Sequence, residues 1–287
     1  EVLPFAVNAY QSFEKGFDVE LINQCNIIDF HPTTQMKEAF AKRVTEDDYL
    51  QHANDNDFKS YFHFYYGAGE INPCWLIDLH VLMNTWRNTL KNENILLEEK
   101  FDIAQLQNFS DAVQYQNIKA EKIIFCDGVN GIENPYFQML PYSKNKGEVI
   151  IARIERLPRK NIYKQGFAIV PWKEDLFWIG STYDWNFKDE QPTENFRKKV
   201  EAQLQLWLKL PYHITEHFAS VRPANMERRP FVGLHPVHSN IGLLNGMGTK
   251  GCSLAPYFSH QFTEHLLHQS SINPLADVKR FTKILSR

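Results

Sequence analysis

Apolar positions along this chain recur with two periods, and the alternation between them predicts the order of its elements. Leu3, Val7, Tyr10 and Phe13 lie three or four residues apart, which predicts a helix over residues 1–15. Residues 17–30 alternate loosely and read as strand. The polar stretch 45–60 reads as a helix and loop at the surface. Gly67 and Pro73 frame a turn that leads into a helix over 75–90, with Leu76, Leu79, Leu82, Met83 and Trp86 on one face. Residues 118–126 form a short buried strand that ends at Gly128, and 147–155 form another. Two apolar runs, 166–171 and 176–182, pair as a hairpin through Lys173, Glu174 and Asp175. A helix follows over 194–209, where Phe196, Val200, Leu204 and Leu208 are spaced by four. The strand Ile241–Asn245 runs into a glycine-rich turn, and a helix over 253–268 buries Leu254, Phe258, Phe262 and Leu266. No internal repeat or low-complexity tract interrupts this order. Helices, buried strands of the parallel kind and hairpins are mixed, so the fold class is α/β (α+β mixed), carrying an antiparallel sheet.

Composition narrows the function classes. With 287 residues and 43% hydrophobic positions the chain can bury a core of one large domain or two ordinary ones. Its net charge of −3 gives no basic excess to grip a phosphate backbone, which argues against a large nucleic-acid interface. Cys25, Cys74, Cys126 and Cys252 stand far apart with no CxxC pair, the pattern of reduced thiols in a cytoplasmic protein. No apolar run approaches the ~20 residues that span a bilayer.

Chemistry concentrates near the C-terminus. In NIGLLNGMGTKGCSLAP, residues 240–256, an apolar strand ends in Gly246, Gly248 and Gly251 and a helix starts at once. Glycines let a backbone approach a ligand, and the first helical N–H groups are unpaired donors. The alternative is a tight connection with no ligand. Just upstream, SVRPANMERRPFVG holds Arg222, Arg228 and Arg229. A buried guanidinium offers a planar fork for a carboxylate; the alternative is a structural ion pair to Glu216 or Glu227. His260, Glu264, His265 and His268 share a helix at spacings unsuited to a metal and read as a solvated face. Gly67-Ala68-Gly69 lacks the third glycine of a nucleotide fingerprint, and no nucleophile motif occurs.

Taken in order, six segments resemble the D-amino-acid oxidase-like superfamily of flavoproteins, which includes glycine oxidase, sarcosine oxidase and D-amino-acid dehydrogenase. They are GAGEINPCWLIDLHVLM (67–83), IKAEKIIFCDG (118–128), LPYSKNKGEVI (140–150), FWIGSTYDW (177–185) with Pro192-Thr193-Glu194 after it, SVRPANMERRPFVGLHP, and NGMGTKGCSLAP. The resemblance implies an FAD-binding Rossmann-like domain interleaved with an antiparallel-sheet substrate domain. On that basis residues 1–66 begin the substrate domain, 67–140 belong to the FAD-binding domain, 141–218 are the substrate sheet and helix, and 219–287 complete the FAD-binding domain. It implies oxidation of a C–N bond of a small amine or amino acid, by hydride transfer to the flavin and hydrolysis of the resulting imine. Arg222 would hold the substrate carboxylate and Tyr183 would line the cavity. Gly246, Met247, Gly248, Thr249, Lys250 and Gly251 would line the flavin edge, and Gly128 would approach it from the other strand. No catalytic acid or base is assigned.

Two departures shape these expectations. The superfamily opens with a strand, a GxGxxG turn and a helix that hold the ADP half of FAD. No such turn precedes residue 60, so the FAD-binding domain is expected to be incomplete and to bind FAD weakly or not at all. Sarcosine-type relatives carry Lys where Ser253 stands, and GMGTKG is closer to the flavin domain of a bifunctional enzyme that modifies the wobble uridine of tRNA. An oxidase acting on tRNA and a flavin-free binding protein therefore stay open as alternatives.

Overall fold

The structure, a computed structural model, describes residues 1–287. Its helices and strands in chain order are α1 (Val2–Phe17), β1 (Ile22–Gln24), β2 (Asn26–Phe30), α2 (Thr34–Val44), β3 (Leu50–His52), β4 (Ala68–Ile71), β5 (Trp75–Ile77), α3 (Leu79–Asn92), β6 (Leu106–Asn108), β7 (Val113–Tyr115), β8 (Ile118–Ala120), β9 (Ile123–Phe125) and β10 (Asn145–Arg153). They continue with β11 (Asn161–Gln165), β12 (Phe167–Pro171), β13 (Leu176–Gly180), α4 (Glu194–Trp207), β14 (His213–Arg222), β15 (Phe231–Leu234), β16 (Ile241–Asn245), α5 (Gly251–His268) and α6 (Thr282–Leu285). The chain divides into two compact units that alternate along the sequence. Glu1–Ile22, Ile77–Asn145 and Val221–Arg287 make the first; Asn23–Leu76 and Lys146–Ser220 make the second.

The second unit is built on an eight-stranded sheet in the order β14-β10-β13-β12-β11-β2-β4-β3. The run β10-β13-β12-β11 is antiparallel, β11 and β2 are parallel, and β2-β4-β3 is antiparallel again. Alternation explains β12 and β13: the hairpin aligns Ile169 with Ile179 and buries both. In α4 the spacing by four puts Phe196, Val200 and Leu204 on one buried stripe, and Trp207 extends it. Thr193 caps that helix, its hydroxyl accepting from Phe196 N at 3.3 Å. The core gathers aromatic rings around Phe62, which stacks on Trp207 with centroids 4.7 Å apart and meets Phe30 and Tyr163.

The first unit holds a three-stranded sheet in the order β15-β16-β9, antiparallel between β15 and β16 and parallel between β16 and β9. A separate meander, β6-β7-β8, is antiparallel throughout. Helix α1 packs against α5, which is why residues 1–22 join this unit. The change-overs between units therefore fall after 22, 76, 145 and 220, against sequence-based boundaries after 66, 140 and 218. One contact between α1 and α5 follows from chemistry. Pro256 lies inside α5 and has no N–H for the carbonyl of residue 252, four positions earlier; the Tyr10 hydroxyl donates to that carbonyl at 2.8 Å.

Four local readings of the sequence are corrected. Residues 45–60 carry β3 and a short turn, and the helix lies earlier, in α2, opened by a Thr33 cap. No residue of α2 is buried, so it has no apolar stripe to reveal it. The helix expected over 75–90 begins at Leu79, because the Asp78 carboxylate caps it by accepting from His80 N and Val81 N; β5 precedes it. Leu82 packs with Val81 against Ala6, Tyr10 and Leu21, whereas Leu79, Met83 and Trp86 are exposed. Residues 118–126 are two strands of different sheets, β8 and β9, joined through Glu121 and Lys122. Strands β14 and β15 escaped notice, the first because its inward positions are mostly only half-buried.

The turn after β15 makes stability pH-dependent. His235 is buried, and its Nδ1 accepts from Val237 N at 3.2 Å and His238 N at 3.1 Å. Burial, reinforced by the neighbouring His238, pushes its pKa down to about 4. The folded state therefore binds fewer protons than the unfolded chain between about pH 6.5 and 4, and stability falls as pH drops through that window. The full loss is roughly 3 kcal/mol at about 1.4 kcal/mol per unit. His235→Asn keeps an acceptor at the Nδ1 position and removes the titration. Urea unfolding across the window should show a shallower fall in the variant than in the wild type; equal falls would place the pH dependence elsewhere.

Candidate functional site

Parallel strands open their C-terminal ends on the same edge of a sheet, the edge where α/β folds place ligands. In the first unit β9 and β16 are such a pair, with Ile123 beside Ile241 and Phe125 beside Leu243. The chain leaves β9 through Cys126, Asp127 and Gly128, and leaves β16 through Gly246, Met247 and Gly248. Asn245, buried at the end of β16, ties the two exits together. Its Nδ2 donates to Asp127 Oδ1 and to the Gly128 carbonyl, both at 2.8 Å, and its Oδ1 accepts from Gly246 N at 2.7 Å. Asn134 Nδ2 donates to the second Asp127 oxygen at 3.1 Å. Tyr142 stands at the same cluster, where burial, with Asp127 beside it, pushes its phenol pKa up.

The glycines differ in what they are for. Gly246 has φ 76°, and a Cβ there would lie 2.8 Å from the Phe231 ring, so no side chain fits. Gly128 also has positive φ, 58°, but a Cβ would meet nothing within 4 Å, leaving its backbone open to an approaching group. Gly251, the first residue of α5, faces open space too. Helix α5 has no side-chain cap and no acidic residue in its first turn. Its leading N–H groups and the positive end of its dipole are thus unanswered by protein side chains. Thr249 and Lys250 are exposed beside them.

The arginine segment packs directly on this turn. Gly248 N donates to the Pro223 carbonyl at 3.2 Å, and Asn225 Nδ2 donates to the carbonyls of Gly246 and Arg229, each at 2.7 Å. Arg222 Nη1 donates to Asn145 Oδ1 at 2.7 Å. Glu227, one of the two acids that could have paired with these arginines, pairs with Arg280 at 3.1 Å, and Glu216 forms no ion pair. Arg228 and Arg229 are exposed.

The first unit therefore brings together Gly128, the turn Gly246–Gly251 and Arg222; Tyr183 belongs to the second unit, in the segment after β13. Among the helical histidines, His260 stacks on Phe5 and His265 Nδ1 lies 2.7 Å from the Ser270 carbonyl oxygen. No three His, Cys, Asp or Glu side chains converge as a metal would require. Sequence reading missed Asn245, Asp127, Asn225 and Asn145. The available signal was a polar residue closing a buried strand immediately before a glycine, as at Asn245-Gly246.

The sequence model of the family described as DAO, FAD dependent oxidoreductase, matches residues 10–265. This chain belongs to that family. Glycine oxidase of Pseudomonas aeruginosa is 28% identical over 145 residues, a match that spans 48% of this chain and 40% of that relative. Among solved structures, iminodiacetate oxidase from Chelativorans sp. BNC1 superposes with a TM-score of 0.80 at 14% identity, covering 98% of this chain and 82% of the other. Glycine oxidase from Bacillus cereus does so at 0.80 and 12%, covering 100% and 84%. At these identities the structural likeness establishes the fold.

FAD is the cofactor of the FAD-dependent oxidoreductase family, and the residues present fit a flavin. Gly128 and Gly251 leave space where a side chain would intrude, and the uncapped α5 offers donors and positive potential to an electron-rich ring edge. No helix of this family member is long and apolar enough to cross a membrane.

Proposed function

We propose that this chain oxidises the C–N bond of a small amine or amino acid. The observation that carries the reading is Arg222, held by Asn145 in a segment that hydrogen-bonds to the glycine turn through Pro223 and Gly248. Bound FAD supplies the acceptor for two electrons. Gly128 and the turn Gly246–Gly251, including Met247, Thr249 and Lys250, line its ring. Arg222 takes the substrate carboxylate through a charge-assisted pair, which fixes the carbon next to nitrogen. Tyr183 contributes a ring to substrate contact. Loss of a hydride, that is two electrons and one proton, from that carbon, with a second proton from nitrogen, leaves an imine that water converts to a carbonyl compound and a free amine.

The test is product analysis with the protein in excess added FAD, since weak FAD binding is expected from the sequence, offered glycine, sarcosine, proline and iminodiacetate beside α-hydroxy acids. A carbonyl product with a new free amine, released as a separate molecule or, from proline, carried on the opened ring, supports the proposal. Oxidation confined to the hydroxy acids would overturn it.

A further inference from the structure

The motif Lys146-Gly147-Glu148 in β10 places two charged side chains almost wholly out of solvent, Lys146 at 2% exposure and Glu148 at 4%. Charges in such surroundings are costly unless paired, and an apolar pair of similar volume is often as stable or more so. What these two residues touch gives them a purpose. They lie two apart on a strand and so share a face. Lys146 and Asp184 exchange backbone hydrogen bonds, Lys146 N to Asp184 O at 2.8 Å and Asp184 N to Lys146 O at 2.9 Å. Lys146 Nζ donates to the Gln191 carbonyl and lies 3.9 Å from Asp189. Glu148 N donates to Thr182 Oγ1 at 2.9 Å. The Glu148 carboxylate accepts from Thr193 N at 2.5 Å and Thr193 Oγ1 at 2.9 Å, and its Oε2 lies 3.2 Å from His217 Nε2.

One loop, 182–193, is thereby fastened at Thr182, Asp184, Gln191 and Thr193, all by residues 146 and 148. Inside it, the Asp184 and Asp189 carboxylates accept from Asn186 N and Gln191 N, each at 2.9 Å, closing two local turns. On this pinned backbone stand two large aromatic side chains that remain substantially exposed, Tyr183 at 62% and Trp185 at 45%. Aromatic rings on a fixed backbone give contact area at small entropic loss, and their faces suit a protonated amine with an apolar substituent. We infer that Lys146 and Glu148 are positioning residues, holding loop 182–193 so that Tyr183 and Trp185 form a rigid substrate-contact platform. The substrate half of this inference rests on the amine-oxidising function proposed above.

Hydrogen exchange of the full chain tests the pinning without any substrate. Lys146→Met keeps the stem and removes the charge; Glu148→Gln keeps the volume. Losing a charge-assisted hydrogen bond should speed exchange of peptide 183–191 about ten-fold or more in each variant. The hairpin β12–β13 should exchange as in the wild type. Unchanged exchange in the loop, or equal acceleration throughout the sheet, would overturn the positioning role. Kinetics test the platform: Lys146→Met and Tyr183→Ala should each raise KM for an amine with kcat nearly kept, and the double variant should be no worse than the poorer single one. Additive effects, or a fall in kcat alone, would contradict the platform. If the wild type oxidises no amine, the proposed function falls while the exchange result still decides the pinning.

Discussion

Replacing Arg222 with alanine should lower kcat/KM for a carboxylate-bearing amine by a factor on the order of 30 to 5000, the equivalent of a lost charge partner at about 2–5 kcal/mol. The effect is large because the guanidinium is half-buried, oriented by Asn145 at 2.7 Å, and set in a segment fastened to the glycine turn. A lysine in its place keeps the charge but loses the planar fork, so Arg222→Lys should recover only part of the loss. Arg228→Ala and Arg229→Ala remove exposed cations and should stay within about threefold of wild type. Unfolding midpoints separate the two roles weighed for this segment. Equal kinetic losses at all three arginines, in step with falling stability, would make Arg222 a structural residue.

The second large effect is expected at Asn245. Asn245→Ala removes two donated bonds and one accepted bond at once. It leaves a buried Gly246 N–H without its partner and Asp127 with one fewer. At about 1–3 kcal/mol for each group left unsatisfied, the loss should reach roughly 3–5 kcal/mol, and FAD affinity should fall with it. Asn245→Asp is the sharper probe. It preserves shape and the acceptor for Gly246 N, but sets a second carboxylate against Asp127. Its loss should therefore shrink as pH is lowered and one of the two carboxyls takes a proton, whereas the loss in Asn245→Ala should not. A pH-independent deficit in Asn245→Asp would mean that the carboxylates do not face each other as the structure places them.

How much of this could be read from sequence depended on burial. Helix α4 was legible because Phe196, Val200 and Leu204 repeat on a buried stripe, and β16 because its apolar run ends in glycine. Helix α2, with nothing buried, left no such trace. The start of α3 was misplaced because Asp78, a single capping side chain, outweighed the apolar run before it. At the site, glycine positions and Arg222 were visible as residue types. The asparagines that hold them were not, since a buried amide is recognised only by its partners, and those lie far off in sequence: Asn245 reaches Asp127, and Arg222 reaches Asn145. The same holds for Lys146 and Glu148, which are buried and whose partners lie in the segment 182–193 and at His217.

The most direct test of amine oxidation is an anaerobic half-reaction. FAD-saturated protein is mixed with glycine, sarcosine, proline or iminodiacetate in the absence of oxygen, and the oxidised-flavin absorbance is followed. Bleaching by at least one of them, slowed when deuterium replaces hydrogen on the carbon next to nitrogen and abolished or strongly slowed in Arg222→Ala, is the predicted result. A flavin that dithionite bleaches but none of these amines does, while an α-hydroxy acid does, would contradict it.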